Sequence, residues 1–338
     1  MKALCILSYG KNLKKRLAFR ELKIDTLNAD DLLIEIHAAA LNPIDYKFVH
    51  GAVRLVHRPK RPFAIGFDLA GIVTAVGHGV RDFNIGDEVY SKVPWSQMGT
   101  IATHLVVNSG SVALKPKNLN FNEAAGIPLV GCTVLESFRI GEIKKGTRLL
   151  ILGGSGGIGT FAIQYAKYLG AFVYATTSTK NIELVKKLGA DVVVDYKNED
   201  YRKLLKDVDV VYDTLGGKYT KGAIEVTKVG GKIISIAGHY DNETLLKIEI
   251  PIILRWLNGI KGVFLMHQMR KKSIYYKHVW SNPNQKILNE VTELIEGEHI
   301  IAVNDREYLF EEAIDALCYL EQNRAKGKVI IVLKTNSE

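Results

Sequence analysis

Gly154, Gly156 and Gly159 stand at the spacing G-x-G-x-x-G, with Ser155, Gly157 and Ile158 filling the positions between them. Glycines so spaced permit a tight turn, let backbone N–H groups come close to a pyrophosphate, and let the next helix sit hard against its strand. The N-terminus of that helix adds unpaired N–H groups and a favourable dipole for phosphate. The same residues permit a second chemistry. Gly153-Gly154-Ser155-Gly156-Gly157 is also G-x-S-x-G, which would make Ser155 a nucleophile, with Asp213 and His239 following in the chain order of a hydrolase triad. A nucleophile elbow has no use for Gly159, and no HGGG-type oxyanion stretch lies upstream. Dinucleotide binding is the preferred reading.

The elements around the turn support it. An apolar run predicts a strand over 148–153, helical spacing predicts a helix over 157–169, and a second strand is expected over 172–178. In such a unit an Asp or Glu roughly 20 residues past the glycines bonds the ribose 2′-hydroxyl of NAD. Here the second strand ends in Thr176-Thr177-Ser178-Thr179-Lys180, without an acid. Hydroxyls and a lysine suit a 2′-phosphate, so NADPH is expected over NADH. The plainer reading of Lys180 is the solvated first residue of a helix.

The chain of 338 residues has room for two domains with sizeable cores. Three widely spaced cysteines (Cys5, Cys132, Cys318) without a C-x-x-C pair argue for a reducing compartment, most simply the cytoplasm. No apolar run approaches the ~20 residues that span a bilayer, so no membrane partner is expected. The formal charge of +9 is scattered among acids and not grouped with aromatics. That describes a solvated basic surface, able to draw in a phosphorylated cofactor, and makes a nucleic-acid partner the weaker reading.

Along the chain, the region to about Leu114 reads as short strands and turns, including 32–38, 70–77 and 87–90, a β-rich and barrel-like pattern. A helical stretch follows over 123–140. Strands (148–153, 172–178, 191–194, 208–213, 231–237) then alternate with helices (157–169, 180–188), which implies a parallel sheet wound by helices. Beyond about Lys261 the alternation stops. A strand is expected over 262–266, closed by His267 and Gln268, followed by helices from Pro283 to Gly297 and from Leu309 to Gln322, and a last strand from Gly327 to Leu333. The stretch from Trp256 to Tyr276, rich in aromatics, Met and Lys, could cover an apolar pocket or help pair subunits.

Taken in order, Asn42-Pro43-Ile44-Asp45-Tyr46-Lys47, Gly66 to Gly71, Gly86 to Val89, Gly153 to Gly159, Leu188 to Asp191, Asp195-Tyr196, Asp213 to Gly217 and Gly327-Lys328-Val329-Ile330 resemble the zinc-independent quinone oxidoreductase and enone reductase branch of the medium-chain dehydrogenase/reductase superfamily. The resemblance implies an α/β chain. A GroES-like β-rich catalytic domain (1–120 and 262–338) would be formed by both chain ends around an inserted Rossmann doubly wound parallel-sheet domain (121–261). It places Ser178, Lys180 and Tyr196 at the 2′-phosphate, with Asn181 aligned in place of the lysine in some members, and it counts Lys328 with the cofactor residues. It also implies a homodimer paired through the edge of the Rossmann sheet.

The resemblance further bears on metal. The Gly-His-Glu zinc motif appears here as Gly66-Phe67-Asp68, the first cysteine ligand position as Asn42, and Cys132 alone falls on a ligand position. One thiolate does not make a zinc site, so no metal is expected, and Asp68 is read as structural. Without a Lewis acid, hydride from NADPH suits a quinone or the C=C of an α,β-unsaturated carbonyl, where negative charge grows on oxygen and donors lower the barrier. Asn42 (amide), Tyr46 (phenol) and Lys47 (cation) are the candidate donors. Their bland alternatives are a turn before Pro43, a packed ring and a solvated lysine. A protein from a different class, one that binds the cofactor with little turnover and acts on RNA or another partner, is the second hypothesis.

Overall fold

The computed structural model describes residues 1–52, 61–95, 97–247 and 252–334, with the backbone alone at 247 and 252–261. The chain divides into two compact units, Met1–Cys132 with Asn282–Glu338, and Thr133–Ser281.

The second unit carries a six-stranded sheet in which every pairing is parallel. In spatial order its strands are Val192–Asp195, Phe172–Thr177, Arg148–Leu152, Val208–Asp213, Thr227–Ser235 and Tyr275–His278. Numbered along this unit the order is 3-2-1-4-5-6, the doubly wound arrangement that reverses beside its first strand and binds dinucleotides at that point. The first strand is buried along Leu149–Leu152 because helices cover both sheet faces.

The first unit is organised around the long strand Asp31–Leu41. It pairs antiparallel with Asp68–Val76, His104–Asn108 and Lys328–Val332. Along it Leu32, Ile34 and Ile36 are buried in alternation, the period-2 signature of a half-covered strand. Glu88–Lys92, Val112–Leu114 and Asn304–Leu309 complete a seven-stranded sheet. Because Lys328–Val332 pairs with Asp31–Leu41, the two chain ends build one unit.

Three expectations change. The parallel-sheet unit starts at Thr133 and ends at Ser281, not at 121 and 261. The helix Phe121–Ala125 and the Leu129 N–H, which donates to Asp68 at 2.7 Å, belong to the first unit. At the other end, Tyr275–His278 adds a sixth strand against Thr227–Ser235 and keeps the chain in the second unit. The expected strand over 262–266 is instead part of the helix Ile252–Lys271. Leu265, Met266 and Met269 pack against the sheet core at helical spacing while Val263 and Phe264 are exposed. A short continuous apolar run fits either element. His267 is exposed on this helix, and the side chain of Trp256 lies outside the described residues.

Candidate functional site

The glycine turn follows the strand Arg148–Leu152 and opens the helix Gly157–Tyr168, with Gly156 at its N-cap and no side chain capping it. The N–H groups of the first turn therefore remain for a ligand. Each glycine has its own reason. Gly153 takes a positive φ of 79°. A Cβ at Gly159 would fall 2.3 Å from the Gly153 carbonyl oxygen and 2.7 Å from Gly154 Cα, so turn and helix touch there only without a side chain. At Gly156 a Cβ would meet nothing nearer than the Gly153 carbonyl oxygen at 3.7 Å. That position is open, as the closest approach of a pyrophosphate requires. The residues present fit a bound dinucleotide.

Beside the turn, Ser155 Oγ accepts a hydrogen bond from Asn181 Nδ2 at 3.0 Å. Asn181 is buried and Lys180 is exposed, so the two residues that could align with one another face different surroundings. Ser178 follows the second strand and Tyr196 follows the third, where the Tyr196 N–H donates to the Thr177 carbonyl at 3.0 Å. The ends of neighbouring strands thus bring Ser178 and Tyr196 together. Lys197, absent from the sequence reading, holds its ammonium 5.5 Å from the Tyr196 ring centroid and adds a second cation to this corner. The nearest acid, Asp195, is engaged by Thr179 Oγ at 2.6 Å, Asn198 Nδ2 at 2.7 Å and the Lys197 N–H at 3.0 Å. The hydrolase alternative fails on Asp213. This residue is fully buried, and its carboxylate accepts from the Leu215 and Gly216 N–H groups and from the Thr220 and Ser235 hydroxyls, which makes it the anchor of its own loop.

In the first unit, strand register assembles a different set. Val329 lies opposite Leu41 and Ala40 opposite Asp68, so Lys328, Asn42 and Asp68 meet at one end of the sheet. Lys328 Nζ donates to Asn42 Oδ1 at 2.5 Å and to Asp68 Oδ2 at 3.0 Å. Asn42 Nδ2 donates to Asp68 Oδ2 at 2.8 Å. Asp45, at the third position of the helix Pro43–Val49, accepts from the Asn42 N–H at 2.6 Å, half of a capping box. All four residues are buried. Burial pushes the Asp45 carboxyl up to about 7; the Asn42 hydrogen bond opposes that, and the charge of Asp68 adds to it.

The buried Asn42 side chain is engaged at both ends: its Nδ2 donates to Asp68 and, at 3.5 Å, to the Ala40 carbonyl, and its Oδ1 accepts from Lys328. Lys328, counted with the cofactor residues on the resemblance, is buried and paired with Asp68. Tyr46 is 8% exposed and its hydroxyl donates to Asn323 Oδ1 at 3.3 Å. Lys47 is exposed and has no hydrogen-bond or ion-pair partner among the described residues, and partial desolvation lowers its ammonium pKa below the usual lysine value. Asp45 and the Lys328–Asp68 pair were not in the sequence reading; the only local trace was the Asn-x-x-Asp spacing of the capping box.

Fold and turn together define a dinucleotide-binding oxidoreductase of two units. Residues 28–117 match the family described as "Alcohol dehydrogenase GroES-like domain" and residues 188–331 the family described as "Zinc-binding dehydrogenase". The chain is 34% identical to the 2-methylene-furan-3-one reductase of Solanum lycopersicum over 98% of this chain and 79% of that one. It is also 34% identical to the NADPH-dependent alkenal/one oxidoreductase, chloroplastic, of Arabidopsis thaliana, over 91% and 73%. The quinone oxidoreductase from Coxiella burnetii superposes with a TM-score of 0.86 at 27% identity, covering 99% of both chains. The chain belongs to the medium-chain dehydrogenase/reductase superfamily, among its quinone and enone oxidoreductases.

One of these family descriptions names zinc. Among the described residues no three His, Cys, Asp or Glu side chains come together in a group able to hold a metal. Phe67, beside Asp68, is in the apolar core with its ring 5.7 Å from that of Phe48. No helix among the described residues is long and apolar enough to cross a membrane.

Proposed function

We propose that the chain is an NADPH-dependent reductase that delivers hydride to a quinone or to the C=C of an α,β-unsaturated carbonyl, without a metal ion. The observation that carries this is a glycine turn at the switch point of a 3-2-1-4-5-6 sheet whose second strand ends in Ser178-Thr179-Lys180 and not in an acid. The names of the alkenal/one and furanone reductase relatives support the acceptor class.

In this reading the N–H groups of Gly157, Ile158 and Gly159 hold the pyrophosphate, with Gly154, Ser155 and Gly156 shaping the turn. Ser178, Lys180 and Tyr196, joined by Lys197, hold the 2′-phosphate by charge-assisted hydrogen bonds. The bound nicotinamide supplies hydride. Lys47 stabilises the negative charge that grows on the acceptor oxygen, because it is a cation with no counter-ion among the described residues. Tyr46 serves as a phenolic proton donor once its hydroxyl leaves Asn323 Oδ1, and Asn42 shapes the start of their helix.

The exposed edge of Tyr275–His278, last in its sheet among the described residues, supports pairing with a second copy as a homodimer. The three free cysteines support a reducing compartment such as the cytoplasm. The test is NADPH oxidation against a panel of enones and ortho-quinones in EDTA, alongside nicotinamide fluorescence on binding. Turnover that persists in chelator with NADPH preferred over NADH is expected. Turnover lost to chelator and restored by zinc would overturn the reading.

A further inference from the structure

Two buried carboxylates, Asp45 and Asp68, lie at one end of the β-rich sheet. Uncompensated buried charge is expensive, so such a group needs a cation. The cation present is a side chain. Lys328 Nζ lies 3.0 Å from Asp68 Oδ2 and 2.5 Å from Asn42 Oδ1, and its stem runs beside Gly126, where a Cβ would lie 3.4 Å from Lys328 Cβ. Three of the roughly four acceptor positions of the Asp68 carboxylate are already taken. Its Oδ2 takes Lys328 and Asn42 Nδ2, and its Oδ1 takes the Leu129 N–H. The neighbouring Phe67 supplies no donor.

We infer that the Lys328 ammonium is the resident cation of this cluster, neutralising Asp68 and fixing the Asn42 amide, so that these residues hold a lysine and not a metal ion. Lys328 is a positioning residue. It holds Asn42, and through it the start of the helix Pro43–Val49 that carries Tyr46 and Lys47. The inference does not depend on which acceptor or cofactor the enzyme uses.

The experiment compares the full chain with Lys328→Met, Lys328→Arg, Asp68→Asn and the double variant Asp68→Asn/Lys328→Met. Three quantities are read: thermal midpoint, zinc content after dialysis against zinc, and NADPH affinity by fluorescence. The wild-type protein should retain far less than one zinc per chain. Lys328→Met should lower the midpoint by roughly 5–15 °C, since it leaves a buried carboxylate unpaired. Lys328→Arg, which keeps the charge, should recover part of that loss. The double variant should be more stable than the sum of the single losses requires, because removing both charges leaves neither stranded. NADPH affinity of any folded variant should stay within about threefold of wild type, a change below 1 kcal/mol.

Stoichiometric zinc in the wild-type protein would overturn the inference. So would strict additivity of the two single changes, or a tenfold loss of NADPH affinity with an unchanged midpoint, which would return Lys328 to the cofactor. If Lys328→Met does not fold, the double variant and Lys328→Arg still decide. None of these readouts uses turnover, so they separate this inference from the proposed reaction.

Discussion

In the Thr133–Ser281 unit, the groups offered to a ligand are backbone N–H groups at a helix start and side chains at two strand ends, with Lys180, Tyr196 and Lys197 exposed and Ser178 buried. In the unit built from both chain ends, the polar groups nearest the proposed chemistry are buried and bound to one another, and beside them Lys47 is an exposed cation without a partner among the described residues. The first arrangement is an open receptor: it binds by geometry and stays unsatisfied until the ligand arrives. The second is a closed electrostatic frame that spends its charges on holding a short helix. Damage should therefore separate cleanly, with the open unit losing cofactor affinity and the closed one losing stability or turnover.

The largest expected effect breaks the receptor. Gly159→Ala would place its Cβ against backbone atoms on two sides, and neither can give way as a side-chain tip could. NADPH affinity should fall by roughly 100-fold or more, the loss of about two charge-assisted hydrogen bonds, and the thermal midpoint should drop with it. Gly156→Ala sharpens the same point. Its methyl has room in the free protein, so the midpoint should hold while titration calorimetry shows weakened NADPH binding. Equal destabilisation by both changes would mean that the turn is only a packing device.

This unit was legible because its information is local. Strand, glycine turn, helix and second strand follow one another within 148–177, and each position of the turn has a reason that depends on near neighbours. The Lys328 cluster was not, because its contacts join residues 286 and 260 positions apart. Only the antiparallel register of three strands brings them together. Sequence motifs point to Asn42 and Lys328 separately, and only the fold shows that their side chains satisfy each other. The helix Ile252–Lys271 was misread for a further reason: five consecutive apolar or small residues carry no period of their own.

The second effect falls on the closed unit. Lys47→Met should lower kcat for the acceptor by about 100- to 1,000-fold, the usual consequence of removing one preorganised donor at a developing oxyanion. NADPH affinity and thermal midpoint should be unchanged, since this ammonium pairs with no other described residue. A loss smaller than about threefold would leave Lys47 a solvated surface lysine and move the role to Tyr46.

A smaller effect tests the open unit's choice of cofactor. Lys180→Ala should reduce the preference for NADPH over NADH by about 3- to 10-fold, because an exposed cation is partly screened and Lys197 remains nearby. Measuring kcat/KM with both cofactors checks this. If Lys197→Ala has the larger effect, the phosphate sits nearer the Tyr196 side of the corner.

The smallest effect on turnover is expected for Asp45→Asn, which keeps an acceptor oxygen for the Asn42 N–H, and its readout is stability against pH. In the folded chain the Asp45 carboxyl titrates near 7, and in the unfolded chain it titrates near 3.8. Between those values the folded state holds a proton that the unfolded state releases, so protons favour folding through this group. Its contribution is fully present below about pH 4 and is lost as pH rises toward 7, with a slope of at most about 1.4 kcal/mol per pH unit. Urea midpoints from pH 4.5 to 7.5 should decline less steeply for Asp45→Asn than for wild type, and the two should differ most near neutrality. Parallel declines would mean that Lys328 serves both carboxylates and Asp45 is ionised throughout, so that the frame is closed by one cation shared between two acids.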